Sequence, residues 1–286
     1  MERNMSAGVK VKASSIFVSV DMEGCATLVH WDEVRPSADA AYARARELMT
    51  AEVNATLSGA YAAGADRVVV NDSHSTMRNL IADRVDARAK IVSGRLKPHF
   101  MLQGIGPDFD AAFFVGYHGA IGDARAVMGH TYSPRVIFEC RLNGEAVGET
   151  TINAALAGHF GVPVALVSGD RTTLDEVQRT LPWAIGVETK ESIGYYSADG
   201  MSPSGVCEAL RADAARAVAQ LGDMRPLVIR SPIEMEIDTM RTSQADLLEL
   251  VPGMRRTGSR SVAYSADNFS KIYRALMVVI YLGAAG

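Results

Sequence analysis

Two carboxylates with the spacing of metal ligands, Asp21 and Glu23, end an apolar run near the start of the chain. The run at 16–20 has the composition of a buried strand, and residues two apart on a strand face the same side. Two like charges buried on one face repel each other and lose their hydration, so a compensating cation is expected beside them. A divalent metal ion is the simplest candidate.

Histidines follow two further apolar runs, His74 after Asn71-Asp72-Ser73 and His118 after Gly116-Tyr117. In open parallel sheets, ligands bind at the carboxyl ends of the strands, so these side chains could meet at one site. Mixed carboxylate and imidazole ligands suit zinc, with manganese or cobalt possible. A single histidine at a strand end is more often a hydrogen-bonded structural group, but agreement among three strand ends favours a metal site.

The elements that must position these residues form an α/β pattern. Continuous apolar runs at 16–21, 67–72, 111–118 and 164–168 predict strands covered on both faces. Ser37 as N-cap and Gly64 as stop predict a helix between the first two strands, which gives a β-α-β unit with a right-handed crossover. We therefore expect a mainly parallel, Rossmann-like sheet flanked by helices.

The second half of the chain predicts a smaller C-terminal α+β lobe. Asn143-Gly144 favours a tight hairpin turn within 136–147, and helices are expected at about 148–160 and 204–221. A strand at 226–237 would begin the lobe, and an amphipathic helix from Phe269 would close it. The predicted division is a metal-site domain at 14–190 and a lobe at 191–286.

Composition indicates a soluble globular enzyme. The 286 residues carry a net charge of −4, and without a basic field or stripe nucleic acid is not an expected partner. Three widely separated cysteines argue against a disulfide scaffold or a cysteine zinc site and favour a reducing cytoplasm. The first residues lack the apolar core of a signal peptide and the apolar stretch at 276–282 is too short to span a bilayer, so no membrane association is expected.

The motifs around Asp21, His74 and His118, together with Val147-Gly148-Glu149-Thr150, resemble the D-aminopeptidase family of zinc peptidases, family M55. The similarity covers nearly the whole chain with the motifs in order. It implies two zinc ions, with Asp21 as the bridging ligand. Glu23 and His118 would complete one zinc site, and His74 and Glu149 the other. The residues alone favour a simpler interpretation of Glu149, as a carboxylate stabilised by a helix dipole.

The resemblance also assigns a catalytic residue and a reaction. His130, in Gly129-His130-Thr131, matches the histidine proposed as catalytic in the family, either as nucleophile or as general acid/base. The implied reaction is hydrolysis of the N-terminal residue, a D-amino acid such as D-Ala, from a short peptide or amide. The family further implies a homo-oligomer, specifically a homodecamer.

Two alternative functions remain open at this point. A dimetal phosphoesterase uses similar ligand clusters, although no Gly-rich phosphate cradle is present and few basic residues adjoin the motifs. A non-catalytic, metal-stabilised oligomeric binding protein would have a closed metal site, whereas a catalytic site keeps an open position. A serine hydrolase is disfavoured because Gly-x-Ser-x-Gly is absent.

Overall fold

The computed structural model describes residues 14–37 and 39–286. The strands are β1 (Ser14–Val20), β2 (Ala65–Asp72), β3 (Lys90–Val92), β4 (Ala111–Tyr117), β5 (Ile137–Leu142), β6 (Glu145–Ala146), β7 (Val164–Asp170), β8 (Ile185–Gly194), β9 (Ser197–Gly200), β10 (Ile233–Thr239), β11 (Met254–Arg256) and β12 (Ser261–Ala266). The helices are α1 (Trp31–Val34), α2 (Ala40–Ala62), α3 (Glu149–His159), α4 (Arg171–Thr180), α5 (Pro203–Ala219), α6 (Thr242–Glu249) and α7 (Phe269–Gly283). Short 3₁₀ turns occur at Ala82–Arg84, Phe100–Leu102 and Leu221–Asp223.

A seven-stranded sheet in the order β3-β2-β1-β4-β7-β8-β9 confirms the predicted α/β class. Every pairing in it is parallel except that of β8 with β9. All residues of β4 and β7 are buried, as expected for strands covered on both faces. The order places β1 between β2 and β4, so the carboxyl ends of these three strands are neighbours.

Helix α2 connects the first two strands and ends where the sequence predicted. Its first residue is Ala40 with Asp39 as the N-cap, which is later than the predicted start at Ser37. Gly64 lies just beyond its end with a φ of 103°, in the left-handed region that favours glycine. The buried face of α2 packs against α5 and the sheet.

The second sheet is antiparallel, in the order β11-β12-β10-β5-β6. The predicted hairpin is present, and positive φ values at Asn143 (50°) and Gly144 (88°) fit the tight turn. The strand predicted at 226–237 is wrong in its first part, because β10 begins only at Ile233. Pro226 and Pro232 have no N–H to donate to a neighbouring strand.

The division at residue 190 stays a prediction. Strand β5 precedes residue 190 in sequence but pairs with the C-terminal strand β10, and β6 extends the same sheet by pairing with β5. Helix α7 packs against both α3 and α6. Across residues 14–37 and 39–286, no helix combines the length and apolar character needed to cross a bilayer.

The contact between α2 and α5 depends on Gly59. A Cβ atom there would overlap the carbonyl oxygen of Arg211 on the facing helix. We expect Gly59→Ala to lower the free energy of unfolding by about 1–3 kcal/mol, the usual range for overpacking. Gly222→Ala is the control, since a Cβ at that position meets no atom within 4 Å. Equal denaturation midpoints for the two variants would contradict this packing.

Candidate metal centre

Neighbouring strands bring four of the predicted ligands together. Asp21 and Glu23 follow β1, His74 follows β2, and His118 follows β4 directly. All four are buried, with between 2% and 5% of their surface exposed. Because β1 is hydrogen-bonded to both β2 and β4, the loops that leave the three strands lie side by side.

A glycine follows the Asp-x-Glu pair because the backbone of β4 approaches it closely. The Gly24 N–H donates to the Gly116 carbonyl at 2.8 Å. A Cβ at Gly24 would overlap the Tyr117 carbonyl oxygen, and one at Gly116, whose φ is +71°, would overlap the Asp21 carbonyl oxygen. The loop that carries both carboxylates is thus set against the strand that leads to His118.

Asp21 faces one histidine with each carboxylate oxygen. Its Oδ1 lies 3.1 Å from His74 Nδ1, and its Oδ2 lies 3.4 Å from His118 Nε2. Glu23 Oε2 is 2.9 Å from His74 Nδ1, and Glu149 Oε1 is 3.4 Å from His118 Nε2. A carboxylate between two separate imidazoles has the arrangement that a bridging ligand requires.

Glu149 and His130 complete the cluster from outside the sheet. Glu149 is the first residue of α3, and its Oε1 accepts the Tyr132 N–H at 2.6 Å. His130 Nε2 lies 3.9 Å from both Glu23 Oε1 and Glu149 Oε1. The His130 ring stacks on His118 with centroids 4.1 Å apart. Two groups of three residues have possible ligand atoms within 4.8 Å of one another. One group is Asp21, Glu23 and His118, and the other is His118, His130 and Glu149.

The loop that carries His130 has a strained backbone. Met128 and Tyr132 have φ values of 52° and 56°, a region that costs a non-glycine residue on the order of 1–3 kcal/mol. Hydrogen bonds hold this loop, from His130 N to the Gly119 carbonyl at 3.3 Å and from Met128 N to the Tyr195 carbonyl at 3.1 Å. Such strain persists only where the surrounding structure fixes it, and here it places the His130 ring over His118.

Buried charge dominates the electrostatics of the cluster. Burial raises the pKa of Asp21, but hydrogen bonds with His118 and His74 outweigh burial and leave that pKa lowered. Burial lowers the pKa values of His74 and His118, but the neighbouring carboxylates raise both well above their usual value. The carboxylates therefore favour positive charge at these two histidines, and a divalent cation would supply such charge at the same place.

The orientation of the two histidine rings also fits a metal site. Each candidate histidine ligand has one ring nitrogen on a backbone carbonyl, His74 Nε2 at 2.7 Å from Val34 O and His118 Nδ1 at 3.0 Å from Gly119 O. The other nitrogen faces the carboxylates, which is the usual orientation of metal-bound histidine. Among the described residues, His118 Nε2 and Glu23 Oε2 are buried and lie 2.9–3.4 Å from charged side chains of the cluster, but neither makes a hydrogen bond of ideal geometry. A metal ion between these side chains would be a better partner for both atoms.

Lys190, on β8, fixes the loop that carries Glu23. Its ammonium group is almost fully buried and donates to the carbonyls of Glu23 at 2.6 Å, Cys25 at 2.8 Å and Leu28 at 2.5 Å. Burial lowers the pKa of Lys190. No apolar pattern marks the position of this lysine, because β8 was not among the predicted strands.

Two more buried side chains hold the same loop. Thr189 Oγ1 donates to the Gly24 carbonyl at 2.6 Å, and Glu52 Oε1 accepts the Ala26 N–H at 2.7 Å. Burial raises the pKa of Glu52 to about 7, although the Ala26 N–H and Lys190 oppose that rise. The backbone from Glu23 to Leu28 is therefore positioned by side chains from α2 and β8 as well as by β4.

The cluster opens into a cavity of about 360 Å³. Four of the candidate ligands line it, and so does His130. Access from a cavity is what a catalytic metal site requires, whereas structural metal sites are closed. The sequence suggested few basic residues near the motifs, but the fold brings Arg35, Arg95 and Arg135 to the same cavity.

The α/β fold with a strand-end cluster of metal-type ligands at a cavity is the arrangement of a metal-dependent enzyme. A family profile described as D-aminopeptidase, peptidase family M55, matches residues 15–278. A D-aminopeptidase of Bacillus subtilis (strain 168) is 32% identical over 271 residues, which cover 93% of this chain and 97% of that protein. The chain therefore belongs to the D-aminopeptidase family of peptidases and is a metallo-aminopeptidase, as the motifs predicted.

A solved structure agrees with this assignment. The Zn-dependent D-aminopeptidase DppA from Bacillus subtilis, described as a self-compartmentalizing protease, matches with a TM-score of 0.91 and 30% sequence identity. The match covers 95% of this chain and 98% of that one. The roles of the individual ligands and of His130 stay predictions, since these comparisons compare whole chains.

Removing the Lys190 ammonium should weaken metal binding. In Lys190→Met the three loop carbonyls lose their donor, so Glu23 is less well positioned. We expect the affinity for added Zn²⁺ to fall roughly tenfold or more, as for other groups that orient metal ligands. Calorimetric titration of the metal-free protein with Zn²⁺ measures this affinity. Lys271→Met, at an exposed lysine paired with Asp267, is the control, and an unchanged affinity in Lys190→Met would contradict the role.

Glu52 should make stability depend on pH. Its pKa is about 7 in the folded protein and near 4.5 when unfolded, so the folded state binds more protons between these values. The free energy of unfolding should then fall by about 3 kcal/mol as pH rises through this window, and stay lowered above it. Glu52→Gln removes the charge while an oxygen remains for the Ala26 N–H.

Urea unfolding of wild type and Glu52→Gln at pH 5 and pH 8 measures this effect. The two proteins should have similar stability at pH 5, and Glu52→Gln should be the more stable at pH 8. Comparison at the same pH cancels the contribution of the other titrating groups. A Glu52→Gln protein that is less stable than wild type at pH 8 would show that the carboxylate stabilises the loop in its charged form.

Proposed function

We propose that this chain is a dinuclear zinc aminopeptidase that releases the N-terminal residue, a D-amino acid such as D-Ala, from short peptides or amides. The five residues that would hold the zinc ions are Asp21, Glu23, His74, His118 and Glu149. Bound zinc would supply a Lewis acid for the scissile carbonyl and lower the pKa of water. The zinc dependence of the similar DppA supports the choice of metal, with manganese or cobalt as substitutes.

The observation that carries the proposal is the position of Asp21 between two imidazoles. One Asp21 oxygen faces His74 and the other faces His118. Glu23 contacts His74, whereas Glu149 contacts His118. These donors suffice for two adjacent ions that share one carboxylate. The family resemblance divides the ligands between the two ions differently, with Glu23 and His118 on the same ion. The possible ligand atoms of Asp21, Glu23 and His118 lie within 4.8 Å of one another, which is compatible with that division.

His130 is suited to proton transfer. Its Nδ1 lies 3.0 Å from the Met128 carbonyl, so Nδ1 carries the proton and Nε2 is free to accept one. Nε2 faces the carboxylates of Glu23 and Glu149, and the residue lines the cavity. In this role His130 takes a proton from the attacking water and returns it to the departing amine. Trp31, edge-on to the ring at 5.2 Å, restricts its orientation.

We further propose that the chain assembles into a homo-oligomer, specifically a homodecamer. The support is the description of the similar DppA as self-compartmentalizing, which requires several subunits around an enclosed space. An enclosed space would admit short peptides and exclude folded proteins. A cytoplasmic location, inferred from the cysteine pattern, stays a prediction.

Substitutions at Asp21 and His130 separate metal binding from proton transfer. Asp21→Asn should lose zinc and activity together, because it removes the charge that both ions share. His130→Ala should keep its zinc while kcat for D-alanyl amide falls roughly 10²–10⁴-fold, the usual contribution of a general acid or base. Zinc content by mass spectrometry and amide hydrolysis measure the two effects.

Asp32→Asn, at an exposed aspartate near the cavity, is the matched control and should change neither quantity. Chelation of the wild-type protein should abolish hydrolysis, and added Zn²⁺ should restore it. Faster hydrolysis of D-alanyl than of L-alanyl amide would support the chirality. Wild-type activity in a zinc-free Asp21→Asn protein would contradict the proposed function.

A further inference from the structure

Three arginines from separate parts of the chain line the cavity that opens onto the candidate ligands. Arg35 directly follows α1, Arg95 lies in the loop after β3, and Arg135 lies just before β5. All three are exposed. The carboxylates that line the same cavity are Asp21, Glu23 and Glu149, which are buried at its inner end.

None of these guanidinium groups has an anionic partner within residues 14–37 and 39–286. Arg35 lies over the Trp31 ring at 5.6 Å, and Arg95 over the Tyr281 ring at 5.3 Å. These aromatic contacts orient the side chains but leave the charges uncompensated. The protein as a whole carries a net charge of −4, so the overall charge does not explain why three unpaired arginines line one cavity.

An unpaired guanidinium binds a carboxylate through two parallel hydrogen bonds, which makes arginine well suited to a terminal carboxylate. A short peptide carries such a group at the end opposite its N-terminal amine. The cavity volume of about 360 Å³ lies at the small end of the range for small-ligand sites, which is roughly 300–1,000 Å³. Because the arginines and the candidate ligands line the same cavity, a short peptide with its scissile bond at the ligand cluster has cationic groups within that cavity for its carboxylate.

We propose that Arg35, Arg95 and Arg135 form a receptor for the free C-terminal carboxylate of a short peptide substrate. The inference rests on the proposed aminopeptidase function and assigns its substrate class. The receptor selects free peptides over peptides whose C-terminus is an amide or is extended beyond the cavity. Selection is read as the ratio of kcat/KM for the free peptide to that for its amide, since in a dipeptide the carboxylate lies only one Cα from the leaving nitrogen.

The test compares the free dipeptide D-Ala-D-Ala with its C-terminal amide, using zinc-loaded protein. Wild type should have a kcat/KM at least about tenfold higher for the free dipeptide, the value expected for a charged hydrogen bond of about 1.4 kcal/mol. Single Arg→Gln substitutions at the three positions should lower that ratio, and the triple variant should bring it near one. High salt should lower the ratio in the wild type.

Arg225→Gln is the matched control. Arg225 is exposed, lies 5.4 Å over the Trp183 ring, and does not line this cavity. Its substitution should leave the ratio at the wild-type value. A wild-type ratio of free-dipeptide to amide kcat/KM near one would overturn the proposal of a carboxylate receptor. So would a triple variant that keeps the wild-type ratio.

Two further outcomes separate this inference from the function on which it rests. Failure of wild type to release D-Ala from either substrate would refute the aminopeptidase proposal itself. Hydrolysis of 4-nitrophenyl phosphate that depends on the three arginines would instead assign them to a phosphate group and overturn the carboxylate receptor.

Discussion

The buried charge of Asp21, Glu23 and Glu149 is the constraint on which the rest of the structure depends. Three carboxylates removed from water within reach of the same imidazoles are unfavourable unless positive charge lies between them. The carboxylates raise the pKa values of His74 and His118 well above their usual value, so positive charge is favoured at these histidines. A bound metal ion would supply that charge at the same place.

The fold meets this constraint through backbone contacts as much as through side chains. Parallel pairing of β1 with β2 and β4 fixes where the ligand-bearing loops begin. Buried lysines then hold two of these loops: Lys190 binds three carbonyls after Asp21, and Lys97 Nζ donates to the Asp72 carbonyl at 2.7 Å, two residues before His74. Both ammonium groups donate to backbone carbonyls of loops that carry candidate ligands, and so help to position those loops.

Sequence patterns predicted the parts of the site that follow apolar strands. Asp21, Glu23, His74 and His118 each stand where a continuous apolar run ends, so strand prediction was enough to bring them together. Glu149 and His130 lie outside such runs and needed the family resemblance. Their positions depend on the start of α3 and on a loop whose positive φ values at Met128 and Tyr132 have no sequence signature.

Helix α4 could not be predicted from an apolar pattern because most of its buried residues are polar. Helix α4 buries Thr172, Thr173 and Glu176 among its few inward residues, so no apolar stripe marks it. The contacts of Lys190 and the grouping of the three cavity arginines could not be predicted for a related reason. Their roles follow from neighbours that are distant in sequence, and a single lysine or exposed arginine carries no local signal of its partners.

The claim that the strand-end cluster exists to hold two metal ions is tested most directly by anomalous X-ray scattering from crystals of zinc-loaded protein. We expect two anomalous peaks per chain at the zinc edge, one on each side of the Asp21 carboxylate, with His74 and His118 on different ions. One peak per chain, or peaks away from Asp21, would contradict it.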